Sequence, residues 1–126
     1  MEIMRRVYAA MTETGEVPTD LFVPDVAVDA TGASPDIGLL GAQDAMEALR
    51  TYIQTFDDFH VELDELIHAD DECVITVARD GGRIKGSTAE ISNRFFHVVK
   101  FRDNRIASWA TYTDRITALE AAGLSE

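Results

Sequence analysis

The sequence predicts an α+β domain in which a curved, cone-shaped antiparallel sheet wraps around helices. Three observations predict it. Ala42–Phe56 carries Ala42, Ala45, Met46, Leu49, Tyr52, Ile53 and Phe56 as one apolar stripe at helical spacing. The chain from Phe59 to Thr113 reads as four strands in succession, with turn residues between them. The last two of these, Ile91–Phe101 and Arg105–Thr113, flank Asp103-Asn104, residues that tolerate the positive φ of a two-residue hairpin turn.

Residues 2–14 form the first helix, with Ile3, Val7, Ala10 and Met11 on one face, Met4 and Tyr8 beside them, and Gly15 as its stop. A short helix or turn spans Pro18–Val23, and Pro24 ends it. Asp25–Thr31 alternates as a strand, and Gly32–Gly41 is a loop. In Phe59–Ala69 the alternation slips at Glu65-Leu66-Ile67, which suggests a bulge. Glu72–Arg79 is a buried strand, and Asp80-Gly81-Gly82 signals a loop. Asp114 caps a last helix over Arg115–Ala122, stopped by Gly123. No repeat or linker divides residues 1–126, so one domain is expected.

A turn of two residues pairs Val98 with Trp109, Phe96 with Thr111 and Arg94 with Thr113 on one face. Phe95, His97, Val99 and Phe101 then share the other face with Tyr112, Ala110, Ser108 and Ile106. A longer or bulged turn exchanges the two sets. Both faces are largely apolar, so the ribbon must be covered twice.

The net charge is −12, from 11 basic and 23 acidic residues. Nucleic acid and anionic membrane surfaces are disfavoured as partners. The single cysteine, Cys73, excludes an internal disulfide and a thiolate metal cluster. No stretch approaches a membrane span, and the N-terminus lacks a signal-peptide core, so a cytoplasmic location is expected.

Along nearly its whole length the chain resembles the SnoaL-like polyketide cyclases of the nuclear-transport-factor-two-like superfamily. That superfamily also includes ketosteroid isomerase and limonene epoxide hydrolase. The resemblance rests on "YAAMTETGE", "LFVPDVAVDA", "GLLGAQDAMEALRTY", "FFHVVKFRDNRIASWATYTD" and "ALEAAGL". It implies the cystatin-like cone, a pocket for an apolar small molecule, no cofactor, and a homodimer packed through the outer sheet face. It also implies that Trp109 lines the pocket.

Against ketosteroid isomerase, Tyr8 matches the tyrosine that polarises the substrate carbonyl. The base position falls on Ala30, one residue past Asp29, and the protonated aspartate falls on Phe96 or His97. Against limonene epoxide hydrolase, the Arg-x-Asp pair is replaced by adjacent Arg79 and Asp80, and the second aspartate by Thr111, two residues after Trp109.

Asp29, the lone carboxylate in an apolar strand run, is therefore the expected base, with Tyr8 a hydrogen-bond donor to a developing oxyanion. Phe22, Phe56, Phe59, Phe96, Trp109 and Thr111 are expected to line the pocket, with Arg79 and Arg94 near it. His97 is expected on the opposite face, in the interface or outer surface. No metal site is expected. The expected function is cofactor-free isomerase, cyclase or dehydratase chemistry on an apolar cyclic substrate. The alternatives are a non-catalytic binding or dimerisation module, and an epoxide hydrolase using Asp29, Arg79 and Asp80.

Overall fold

Asp103 and Asn104 both adopt positive φ, 54° and 62°, the backbone of a two-residue hairpin turn. They join β5 (Glu90–Arg102) to β6 (Arg105–Tyr112) in a computed structural model that describes residues 2–32 and 38–124. Part of the expected Gly32–Gly41 loop lies outside these. Upstream are α1 (Glu2–Thr14), a 3-10 turn at Thr19–Leu21, β1 (Phe22–Asp29), β2 (Leu39–Leu40), α2 (Ala42–Gln54), β3 (His60–Asp70) and β4 (Cys73–Arg83). The short helix α3 (Arg115–Ala121) closes the chain. Its N-cap is Asp114, whose side chain accepts from Thr117 N.

One sheet orders the strands β2-β1-β6-β5-β4-β3. The edges β2 and β3 do not pair, so the sheet stays open. The pairs from β3 to β6 are antiparallel, as expected, whereas β1 runs parallel to β6. Three spans differ from expectation, the first being β2, which falls within the expected Gly32–Gly41 loop and pairs with β1. β1 begins at Phe22 and passes through Pro24, which therefore ends no helix. β4 continues through Asp80, Gly81 and Gly82 to Arg83 where a loop was expected. Gly81 makes this continuation feasible. Its φ is +149°, and a Cβ there would stand 1.8 Å from the Ile91 carbonyl oxygen.

The hairpin register shifts one step from the turn. Phe101 pairs with Ile106, but Lys100 pairs with Ser108, leaving Ala107 as an extra residue in β6. Beyond this bulge Val99 pairs with Trp109 and His97 with Thr111. The two faces of β5 are thereby exchanged relative to an unbulged ribbon. A second shift, between Leu63 and Glu65 of β3, falls close to the expected slip.

The inner face packs under α1 and α2, with Met4, Val7, Tyr8, Val74, Ala78, Val99 and Trp109 in its core. The outer face carries Cys73, Ile75, Val77, Phe96 and Val98, covered by Ala118 and Leu119 of α3. Ile75 and Val77 are 0% exposed within the single chain. The ribbon's second apolar face is thus covered by the chain's own C-terminal helix, and burying it does not require a partner subunit.

Gly81→Ala should destabilise the fold by roughly 3 kcal/mol or more, because strand β5 must move to admit the Cβ. Urea denaturation measures this, and a loss under 1 kcal/mol would show that β5 does not run this close to Gly81.

Candidate functional site

Between the inner sheet face and α2 lies a mostly apolar cavity of about 160 Å³. An apolar cavity of comparable size accommodates a benzene ring. Helix α2 presents Ala45, Ala48, Leu49 and Tyr52 to it, so part of the predicted helical stripe roofs a space while Ile53 and Phe56 join the core. Val28 and Ala30, Phe59 and Val61, and Trp109 and Thr111 form the walls.

Two polar clusters interrupt this apolar lining. In the first, the Tyr8 hydroxyl lies 2.6 Å from Thr76 Oγ1 and 2.7 Å from His97 Nδ1. All three side chains are buried. Tyr8 reaches the pair from α1, Thr76 comes from the inner face of β4, and His97 pairs directly with Thr76 across β4 and β5. The His97 ring packs on Trp109 with centroids 4.7 Å apart, and Trp109 in turn stacks on Phe22. Burial pulls the His97 pKa down to about 3, so the imidazole is neutral at physiological pH. Burial also raises the Tyr8 pKa, which keeps its proton on.

The second cluster is Tyr52, Asp80 and Asn93. The Tyr52 hydroxyl donates to Asp80 Oδ1 at 2.6 Å and accepts from Asn93 Nδ2 at 3.2 Å. Asp80 lines the cavity and is 7% exposed. Among the described residues no cation forms a salt bridge with it. Burial raises its pKa, and the hydrogen bonds from Tyr52 and Asn93 offset part of that rise. Thr76 and Asp80 are four residues apart on one strand, so the clusters' backbones are separated by roughly 13 Å.

The structure brings together only some of the residues predicted from sequence. Tyr8, Phe59, Trp109 and Thr111 line the cavity. Phe22 and Phe56 are buried behind the lining, Phe22 against Trp109 and Phe56 against Tyr52 and Phe59. Asp29 pairs with Ala110 on the outer side of the sheet, while its neighbours Val28 and Ala30 line the cavity. Its carboxylate accepts from Thr31 N, and the hydrogen bonds from Thr31 lower its pKa. It therefore lacks both the placement and the basicity expected of it.

The Ala107 bulge turns Phe96 and Arg94 to the outer face, where the Arg94 guanidinium lies 5.5 Å from the Phe96 ring centroid. Arg79 is outside as well, paired with Asp64 and Glu62. The Asp29, Arg79, Asp80 set is thus split between the two faces. His97, expected outside, is the inward residue. Asp80 was expected only within the rearranged epoxide-hydrolase set, at the start of an apparent loop, and Tyr52 as part of a helical core stripe. Thr76, a hydroxyl between Val74 and Ala78, was the available signal for a buried polar partner. Among the described residues no group of His, Cys, Asp or Glu is arranged to hold a metal. No helix among them is long and apolar enough to cross a membrane.

A family model described as the SnoaL-like domain matches residues 4–109. The chain belongs to the SnoaL-like domain family. Solved structures agree on the fold of this SnoaL-like domain. A hypothetical protein with a ketosteroid isomerase-like fold from Catenulispora acidiphila, in complex with trimethylamine, is 21% identical, with 98% of this chain and 93% of that one covered at a TM-score of 0.73. AclR, a putative hydroxylase from Streptomyces galilaeus, is 12% identical, with 97% and 93% covered at 0.73. TerC, co-crystallised with polyporic acid, is 13% identical, with 97% and 96% covered at 0.70. No curated protein matches the chain.

The depressed His97 pKa has a sign that can be checked. The unfolded imidazole takes up a proton near pH 6.5 and the folded one does not, so stability is complete above 6.5 and falls as the pH drops. Between pH 6.5 and about 4.5, where exposed carboxylates remain ionised, stability should fall by up to about 1.4 kcal/mol per pH unit. His97→Gln should remove this slope in urea titrations run across that range. An unchanged slope would place its origin elsewhere.

Proposed function

We propose that this SnoaL-like domain is an enzyme performing cofactor-free acid–base chemistry on an apolar cyclic small molecule, with Asp80 as the group that takes and returns the proton. The observation that carries this is Asp80 itself, a buried carboxyl on the wall of an apolar cavity, without a salt bridge among the described residues and with a pKa that burial raises against the opposing hydrogen bonds and the more distant His60. A carboxylate in bulk water is a weak base. Desolvation raises its proton affinity toward the range useful near neutral pH. Tyr52 holds Oδ1, which fixes the carboxyl on the cavity wall.

The reaction consistent with this group is proton transfer at a carbon activated by a carbonyl. The C–H bond breaks, the proton goes to Asp80, and the electron pair moves onto the carbonyl oxygen. Return of the proton at another position gives an isomer, and collapse onto a second electrophile in the same molecule gives a ring. Apolar walls and a net charge of −12 favour a neutral ligand over an anionic one.

A second reading is a binding module without turnover. It is favoured by the absence of Asp29 and the two arginines from the cavity, since the base, donor and water-activating set of the better-known relatives is not reproduced. A homodimer, if formed through the outer side, would pack over α3 rather than directly on the sheet.

Deuterium exchange from D₂O into cyclic ketones, followed by proton NMR, tests the proposal without a known product. Wild-type protein should accelerate exchange over buffer, and Asp80→Asn should lower the rate by about 100-fold or more while leaving Trp109 fluorescence quenching by the ketone intact. Equal exchange in the two proteins would remove Asp80 as the base. Binding without exchange in either would favour the binding module.

A further inference from the structure

The hydroxyl–hydroxyl–imidazole chain Thr76–Tyr8–His97 has a direction that the donor count fixes. Thr76 and Tyr8 carry one hydroxyl proton each, and both side chains are sealed from solvent, 0% and 3% exposed. The Thr76 hydroxyl has no hydrogen-bond partner among the described residues except Tyr8. If Tyr8 donated to Thr76, the Thr76 proton would be left buried without an acceptor, which folded proteins avoid. If Thr76 donates to the Tyr8 oxygen, the Tyr8 proton points to His97 Nδ1, and both hydroxyl protons are satisfied. The order is therefore Thr76 to Tyr8 to His97.

His97 is neutral and carries a single ring proton. With Nδ1 accepting from Tyr8, that proton must sit on Nε2. No described residue bonds Nε2. No buried side-chain nitrogen or oxygen among the described residues lacks a partner, so Nε2 meets open space. The space that His97 lines is the cavity.

We infer that His97 Nε2–H is a hydrogen-bond donor held toward the cavity by Tyr8 and Thr76, and that it selects ligands bearing an acceptor oxygen, a ring carbonyl above all. This rests on the cavity being the ligand site of the proposed function. Tyr8 is then a positioning residue: its own proton is committed to Nδ1, and the donor that meets the ligand is the imidazole. An acceptor at His97 and a labile proton near Asp80, on backbones roughly 13 Å apart, describe an elongated neutral ligand whose carbonyl, at the His97 end, is conjugated through intervening double bonds with the carbon that gives its proton to Asp80.

The tautomer is read first, in ligand-free protein, by long-range ¹H–¹⁵N NMR of the His97 ring. The expected spectrum shows a pyrrole-like Nε2 and a pyridine-like Nδ1, and Tyr8→Phe should weaken that bias by removing the donor to Nδ1. A protonated Nδ1 in the wild-type protein would overturn the inference. The ligand half uses cyclohexanone and 2-decalone, with binding followed through Trp109 fluorescence and the carbonyl by difference infrared spectroscopy. The bound C=O band should move to lower wavenumber in wild type. His97→Phe should lose the shift and bind about tenfold more weakly, and His97→Gln, which keeps an N–H donor on a side chain of similar reach, should restore part of both. An unshifted band, or no saturable ketone binding by a folded wild-type protein, would overturn the assignment of the carbonyl to His97. Neither readout requires turnover. A shifted band together with failed deuterium exchange would retain this inference and reject Asp80 as the base.

Discussion

Side chains alternate across a strand, so one extra residue exchanges every side chain beyond it between the two faces. In this protein that residue is Ala107. It lies between a regular two-residue turn and the part of the hairpin that borders the cavity. Because of it, His97 and Trp109 point inward together, His97 meets Tyr8 and Thr76, and Phe96 and Val98 turn outward beneath α3. Without it the cavity would receive Phe96 and Arg94 in place of His97.

The inward set is coherent with its surroundings. A neutral imidazole suits a site where burial opposes charge, and its Nδ1 is satisfied by a tyrosine whose own oxygen is satisfied by a threonine. At the other end Asp80 has one oxygen held by Tyr52. Apart from the Thr111 hydroxyl and the Trp109 indole N–H, the remaining described lining is apolar, so the two clusters are the main points at which the cavity can orient a polar group. Helix α2 contributes chiefly small and aliphatic residues to the roof, and Tyr52 ties it to the sheet at Asp80. The position of α2 and that of the Asp80 carboxyl are therefore coupled through one hydrogen bond.

Much of the fold was legible in the sequence because it is written in local patterns. Helical spacing and the caps at Gly15, Asp114 and Gly123 place α1 and α3, and the period of the α2 stripe places α2. Asp103-Asn104 places the hairpin turn. The site was less legible, and each miss has a physical cause. A bulge at an alanine leaves no compositional mark, so the faces of β5 were exchanged. Two glycines after Asp80 suggest a loop, yet here their freedom lets β4 continue as a strand beside β5. Asp29 looked buried because its neighbours are apolar, but its strand offers it the outer side. The apolar outer face suggested a second subunit, and α3 of the chain itself packs on that face through Ala118 and Leu119.

The inward turn of His97 is tested most directly by nuclear Overhauser contacts from the His97 ring. With ring centroids 4.7 Å apart from Trp109 and 6.1 Å from Tyr8, cross-peaks from the imidazole protons to the Trp109 indole and the Tyr8 ring are expected. Contacts from His97 to Ala118 or Leu119 of α3, with Phe96 instead meeting Trp109, would mean that the hairpin carries no bulge and that the site described here does not form.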